Sequence, residues 1–476
     1  MRGQRSPPAV AVPPDGGYSW IILLACFLVF GLTFGVIKSF GVLYVEIHRY
    51  YETTATGTSW ITSIAVAAIH CVAPVGSALS ARYSHRAVVM TGGLLSGIGM
   101  VGGAYARTLV ELYITVGFLT GCGYALAWTP TVTMLGLYFE RRRPLANALA
   151  STGECIFTFL LTPFLQLLVN HYSWRGAMLV LGGLQLNLCV CGMLLRPLDP
   201  PQRRRAPREE EGPALEVQPQ MQRDPQGAVG ARAPGEALSS RAALRGKVLR
   251  YVDYTLIYSP SFVVYSMFGV FAALGFFAPA LFLVPYARSR GVEEYQAAAL
   301  MSISAASDLT GRILFGWVAN LRLMPTIRQL TVSVLVLGGV LLLCPLAGSF
   351  PELAAFSVAF GLAFGATVSI HITVLAEVVG VHRLGSALGF FMLLRSSGGL
   401  LGPPIAGFFI DKMSDYGTGF LMAGVALIVS ALFLMLLHQM MPWGLAQSPM
   451  KGRDSPTEFD RGLEGGAWKE EPEETM

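Results

Sequence analysis

The sequence predicts an all-α membrane protein with twelve transmembrane helices in two six-helix halves, and three observations carry that expectation. The chain is 53% hydrophobic and only 13% charged over 476 residues, whereas a soluble domain carries roughly 25% charge. Apolar runs of about 20 residues, enough to cross a bilayer core of roughly 30 Å, recur from Tyr18 to Met441. They fall as six plus six around Arg196 to Arg250, a stretch rich in Pro, Gly, Arg and Glu. That stretch has no apolar periodicity and reads as a disordered linker.

In chain order, residues 1–17 hold Arg2, Arg5 and several prolines but no apolar signal-peptide core. They read as a cytoplasmic tail, and span 1 as an uncleaved insertion signal. The first half, 18–195, holds spans at approximately 18–45, 59–81, 87–106, 110–138, 145–171 and 176–195. The linker occupies 196–255. The second half, 256–441, holds spans at approximately 256–287, 296–320, 325–347, 350–380, 385–410 and 416–441, and a tail follows at 442–476.

Orientation follows from Lys and Arg in the connections. One side carries Arg82, Arg86, Arg141, Arg142, Arg143, Arg322, Arg328 and Arg383, eight against the six of Arg49, Arg107, Arg175, Arg288, Arg290 and Lys412. The linker adds eleven more to the first side, which places both termini and the linker in the cytoplasm. The net charge of +5 therefore reflects this bias. No basic stripe with interleaved aromatics exists for nucleic acid. The seven cysteines fall inside apolar spans without paired spacing and read as small packing residues. None of the four asparagines begins a glycosylation sequon.

The halves echo each other. "GSALSARYSHR" (Gly76 to Arg86) joins spans 2 and 3, and "GWVANLRLMPTIR" (Gly316 to Arg328) joins spans 8 and 9. Each is a helix end, a short basic turn and a new helix. Six-helix repeats of this kind mark secondary transporters whose site lies near the midplane between the halves. The architecture expected is that of the major facilitator superfamily.

A charge at bilayer depth costs about 2.5 kcal/mol or more, so each is a functional candidate. Asp308 and Arg312 in "SISAASDLTGRILFG" lie near the middle of span 8, four apart and able to pair on one helix face. Protonation of Asp308 would release a guanidinium suited to bidentate capture of a carboxylate. Lys38, in "GLTFGVIKSFGVLY", has no partner in its own helix. Its depth in span 1 puts it in the outer half, as an outer relay that meets an anion before Arg312 does. Glu154 and Arg395 read as gating or secondary charges: Glu154 reaching Arg312 across spans 5 and 8, Arg395 satisfied by carbonyls or His70. His70 and His371 are weaker candidates.

Several stretches resemble the monocarboxylate transporters, solute carrier family 16. "PDGGYSW" (Pro14 to Trp20) is similar to that family's lead-in to span 1, and "YFERRRPLANALASTG" (Tyr138 to Gly153) to its run into span 5. "YSWRGAMLVLGGLQLN", "LVPYA" and "GLLGPPIAG" add to the likeness. The resemblance implies a substrate and proton site at Lys38, Asp308 and Arg312, a pocket with Phe34, Asn147 and Phe364, and cytosolic arginines at Arg142 and Arg143. Glu154 departs from the lactate carriers and resembles a member associated with ketone-body export. The family also implies a companion of the basigin or embigin type, a single-span immunoglobulin-like glycoprotein.

The function expected is a plasma-membrane secondary carrier of small monocarboxylates, of lactate, pyruvate or ketone-body type, coupled to a proton by alternating access. The alternative is a proton-independent facilitative carrier or exchanger of another organic solute such as an amino acid. A receptor or channel fits less well with charges at the midplane of two equivalent halves. No His-Glu-x-x-His or Gly-x-Ser-x-Gly motif occurs, so no catalytic residues, metal or cofactor are expected.

Overall fold

The structure is a computed structural model that describes residues 16–139, 142–196, 256, 258–321, 323–380 and 383–440. The expected tails and linker therefore lie outside the described residues over 1–15, 197–255 and 441–476. Nine segments of the described chain are long and apolar enough to cross a membrane. One of them, Leu145–Leu194, is 50 residues long and breaks at Ser173, whose φ of 60° and ψ of 173° turn the chain. Two further helices, Glu294–Asn320 and Leu384–Met413, carry Asp308, Arg312 and Arg395 within them and complete the twelve.

The helices are α1 (Ser19–Tyr50), α2 (Ala55–Arg82), α3 (His85–Ala104), α4 (Leu109–Tyr138), α5 (143–172) and α6 (174–194) in the first half. The second half has α7 (Pro260–Ser289), α8 (Glu294–Asn320), α9 (Thr326–Leu346), α10 (Phe350–Val379), α11 (Leu384–Met413) and α12 (Gly417–Met440). Helices satisfy their own backbone groups, which lipid cannot. Several extend past the apolar runs that predicted them. α1 continues through the polar "EIHRY" to Tyr50, and α2 begins at Ala55, where the Thr54 hydroxyl accepts from the Gly57 amide.

The halves meet along three helix pairs: α5 on α8, α2 on α11 and α1 on α7. They are latched at one end. Asp411, late in α11, accepts from the amides of Ala55 and Thr56 at 2.6 and 2.9 Å and from the Thr56 hydroxyl at 2.6 Å. A carboxylate there meets the positive end of the α2 dipole and two of its unsatisfied amides. Arg288 of α7 bonds Glu46 of α1 at 3.1 Å and also pairs with Glu294 of α8. Gln166 of α5 donates to Glu294 at 3.4 Å. This is the closed end of the molecule.

Candidate functional site

Four charged side chains meet between the halves. α1 carries a π-helical turn, Gly31–Gly35, a distortion often found at functional sites. It brings α1 close to α5: a Cβ on Gly35 would meet the Cβ of Phe157 at 2.8 Å. Three residues beyond that turn stands Lys38, and one turn before Phe157 on the facing helix stands Glu154. On the other side, α10 presses on α8 at Gly361 and Gly365. A Cβ on Gly365 would lie 2.8 Å from the Arg312 amide, and one on Gly361 would lie 2.9 Å from the Asp308 amide. Close packing on both sides thus fixes the three helices, α1, α5 and α8, that bear the charges.

Asp308 and Arg312 form the fork their spacing predicts, with Arg312 Nε on Oδ1 at 2.8 Å and Nη2 on Oδ2 at 3.0 Å. Arg312 Nη2 also donates to Glu154 Oε2 at 3.2 Å, and Nη1 to the Ser151 carbonyl at 3.3 Å. Lys38 Nζ donates to Asp308 Oδ2 at 3.0 Å and lies 2.8 Å from Glu154 Oε1. The Cys155 thiol donates to Asp308 Oδ2 at 3.4 Å, a polar task its reading as a packing residue missed. Two cations and two carboxylates make the cluster neutral when all four are ionised.

Lys38 and Asp308 also line a small cavity of about 20 Å³ on the closed-end side of the charges, with Thr158, Phe276, Phe360 and Phe364. The Lys38 ammonium sits 4.4 Å from the centre of the Phe364 ring, within cation–π range. The cavity joins a charged floor to an aromatic wall. That combination suits a small organic anion with an apolar body.

The structure corrects several expectations. Lys38 is not an isolated outer group above Arg312, because it touches both carboxylates of the cluster. α1 is 32 residues long, so Lys38 lies only about 5 Å beyond its middle at 1.5 Å per residue. The polar residues after the apolar run had hidden the helix's true centre. Arg395 is half-buried and makes neither ion pair nor hydrogen bond with carbonyls or with His70 among the described residues; its guanidinium lies 5.4 Å from the Phe276 ring. The His70 and His371 Nδ1 atoms bond instead to carbonyls of their own helices, Val66 and Val368.

Phe34 stands one turn from Lys38 but packs on Phe30 and Trp128, with ring centres 6.1 and 5.7 Å away, outside the cavity lining. Asn147 is exposed, about two turns before Glu154. Arg142 is exposed just ahead of α5, and Arg143 is its first residue. In the sequence Arg288 counts only as a connection charge, and Asp411, Glu46 and Glu294 carry no signal of their own. Spacing does not signal the contacts between the halves, since Glu46 and Arg288 lie 242 residues apart and Ala55 and Asp411 lie 356 apart.

Fold and site together define a transporter of the major facilitator superfamily, whose family profile matches residues 22–350 and 327–470. Solved structures with this fold include a bacterial homologue of the human lysosomal transporter Spinster, inward-facing and unoccupied (TM-score 0.66, 16% identity, covering 89% of this chain and 98% of that one). The nucleoside transporter NupG gives a TM-score of 0.63 at 13% identity, covering 88% and 100%.

Curated relatives narrow the class. Monocarboxylate transporter 2 of Mesocricetus auratus is 36% identical over 433 residues, covering 90% of this chain and 86% of the relative. Monocarboxylate transporter 12 of Mus musculus is 37% identical over 449 residues, covering 94% and 91%, and monocarboxylate transporter 13 of Bos taurus is 38% identical over 428, covering 90% and 91%. The chain belongs to the monocarboxylate transporter family. It is a multi-pass membrane transporter and not an enzyme.

Proposed function

We propose that the protein moves small monocarboxylates, of lactate, pyruvate or ketone-body type, across the plasma membrane together with a proton. The observation that carries this is the neutral cluster at the base of an aromatic cavity. With all four groups ionised, Lys38 and Arg312 are both occupied by carboxylates, and an arriving anion finds no free cation. One proton on either acid releases a cation for the substrate carboxylate, so anion and proton bind together. The apolar body of the substrate then rests on Phe364 and Phe276.

With both termini and residues 196–255 cytoplasmic, as the positive-inside bias has them, the latched end faces outward and this is an inward-facing form. Alternating access opens the Asp411 and Arg288 contacts as the halves, 18–195 and 256–441, rock about the cluster. A single-span glycoprotein of the basigin or embigin type is the companion the family likeness supports.

A second reading draws on Glu154, which gives the site an extra acid. An amino-acid zwitterion would place its ammonium there and its carboxylate on Arg312, and would need no proton. Proteoliposomes under an imposed pH gradient separate the two. The first reading expects radiolabelled lactate, pyruvate or 3-hydroxybutyrate to accumulate when the lumen is alkaline; uptake indifferent to the gradient would refute it.

A further inference from the structure

Glu154 bridges the two cations in the way a bound substrate carboxylate would. One oxygen lies 2.8 Å from Lys38 Nζ and the other accepts from Arg312 Nη2 at 3.2 Å. Each oxygen therefore meets a different cation. Asp308 is held differently. It receives both limbs of the Arg312 fork, the Lys38 ammonium and the Cys155 thiol, and its side chain is 3% exposed against 13% for Glu154. Displacing Asp308 would break four contacts and leave the fork empty. Displacing Glu154 breaks two, and a second carboxylate can restore both.

We infer that Glu154 occupies the substrate carboxylate's seat in the empty carrier, and that it is the group that takes up the coupling proton. The inference rests on the reading of the protein as a proton-coupled carrier of monocarboxylates. A proton from water adds to a Glu154 carboxylate oxygen, the neutral acid leaves Lys38 and Arg312, and the substrate carboxylate takes its place. On release the substrate departs, Glu154 returns its proton to water on that side, and its carboxylate closes on the two cations again. One proton and one anion have crossed, and no bond other than O–H has formed or broken. In the empty carrier, and again with the substrate seated and Glu154 protonated, the cluster holds two cations and two carboxylates. Neither of these two states leaves an uncompensated charge at bilayer depth.

The charged groups facing Glu154 are Lys38 from α1 and Arg312 and Asp308 from α8, with the Cys155 thiol beside it on α5 and the charge of Arg395 reaching it from α11. The empty carrier therefore holds itself shut against free anions. This chain requires a proton before it admits the anion.

The test uses the purified full chain in weakly buffered detergent with L-lactate as the probe. Wild type is expected to take up about one proton per lactate bound, and its apparent affinity to weaken about tenfold for each unit of rising pH above the Glu154 titration. Glu154→Gln is expected to bind lactate at alkaline pH with the affinity wild type shows in acid, to take up no proton, and to exchange lactate without concentrating it. Proton uptake retained in Glu154→Gln would overturn the assignment. If that variant does not fold, lactate binding by wild type without any proton uptake overturns it equally. Should wild type bind and move no lactate, pyruvate or 3-hydroxybutyrate, the functional reading itself falls.

Discussion

Replacing Arg312 by lysine keeps a positive charge but removes the fork. The guanidinium makes two bonds to Asp308, one to Glu154 and one to the Ser151 carbonyl. A lysine ammonium is a point charge on a different stem, and it cannot hold Asp308 through two parallel bonds while also facing a second carboxylate. Losing a single charge-assisted hydrogen bond to the substrate costs about 1.5–3 kcal/mol. At about 1.4 kcal/mol per tenfold, the half-saturating concentration should rise roughly 10- to 150-fold. The assay is concentration-dependent lactate uptake in cells, normalised to protein at the cell surface. Arg312→Lys with the concentration dependence of wild type would refute the role given to the guanidinium.

Asp308→Asn should abolish transport rather than merely uncouple it, because Arg312 and Lys38 lose the carboxylate that orients both; pH-driven lactate accumulation by the variant would contradict this. Lys38→Gln should lose most uptake while Lys38→Arg keeps part of it, since Nζ meets two acids at 2.8 and 3.0 Å; normal uptake by Lys38→Gln at equal surface expression would contradict the placement. Asp411→Asn removes the carboxylate from the start of α2, a contact worth about 1 kcal/mol or more. It should raise the labelling of a cysteine placed at the closed end by a thiol reagent applied from that side, and unchanged labelling would remove Asp411 from the latch. Gly365→Val should push α10 off Arg312 and lower thermal stability by about 1–3 kcal/mol, read in a detergent melting curve; an unchanged melt and unchanged uptake would show that the contact yields.

Local spacing and apolar length made much of this legible. The four-residue interval of Asp308 and Arg312 specifies their pairing on any helix, and the expected packing of spans 5 and 8 brings Glu154 to Arg312. The break at Ser173 falls in "YSWRG", between the two apolar runs that predicted separate spans. Lys38 was misplaced because the depth of a residue was read from apolar length, and helices can extend beyond the apolar run. Arg395 was given partners because a buried cation needs them; it instead lies beside the ring of Phe276. The latch was illegible because Asp411 finds its partners across 356 residues of chain, and a charge near a span end looks the same in sequence whether it faces water or another helix.

The central claim is that one carboxylate and one proton cross together without net charge. The most direct measurement adds lactate to proteoliposomes carrying a lumenal pH indicator while recording transport current on a supported membrane. Lumenal acidification matched to lactate entry, with no sustained current, is the result expected. Lactate entry that leaves the lumenal pH unchanged, or that carries a steady current, would contradict the account.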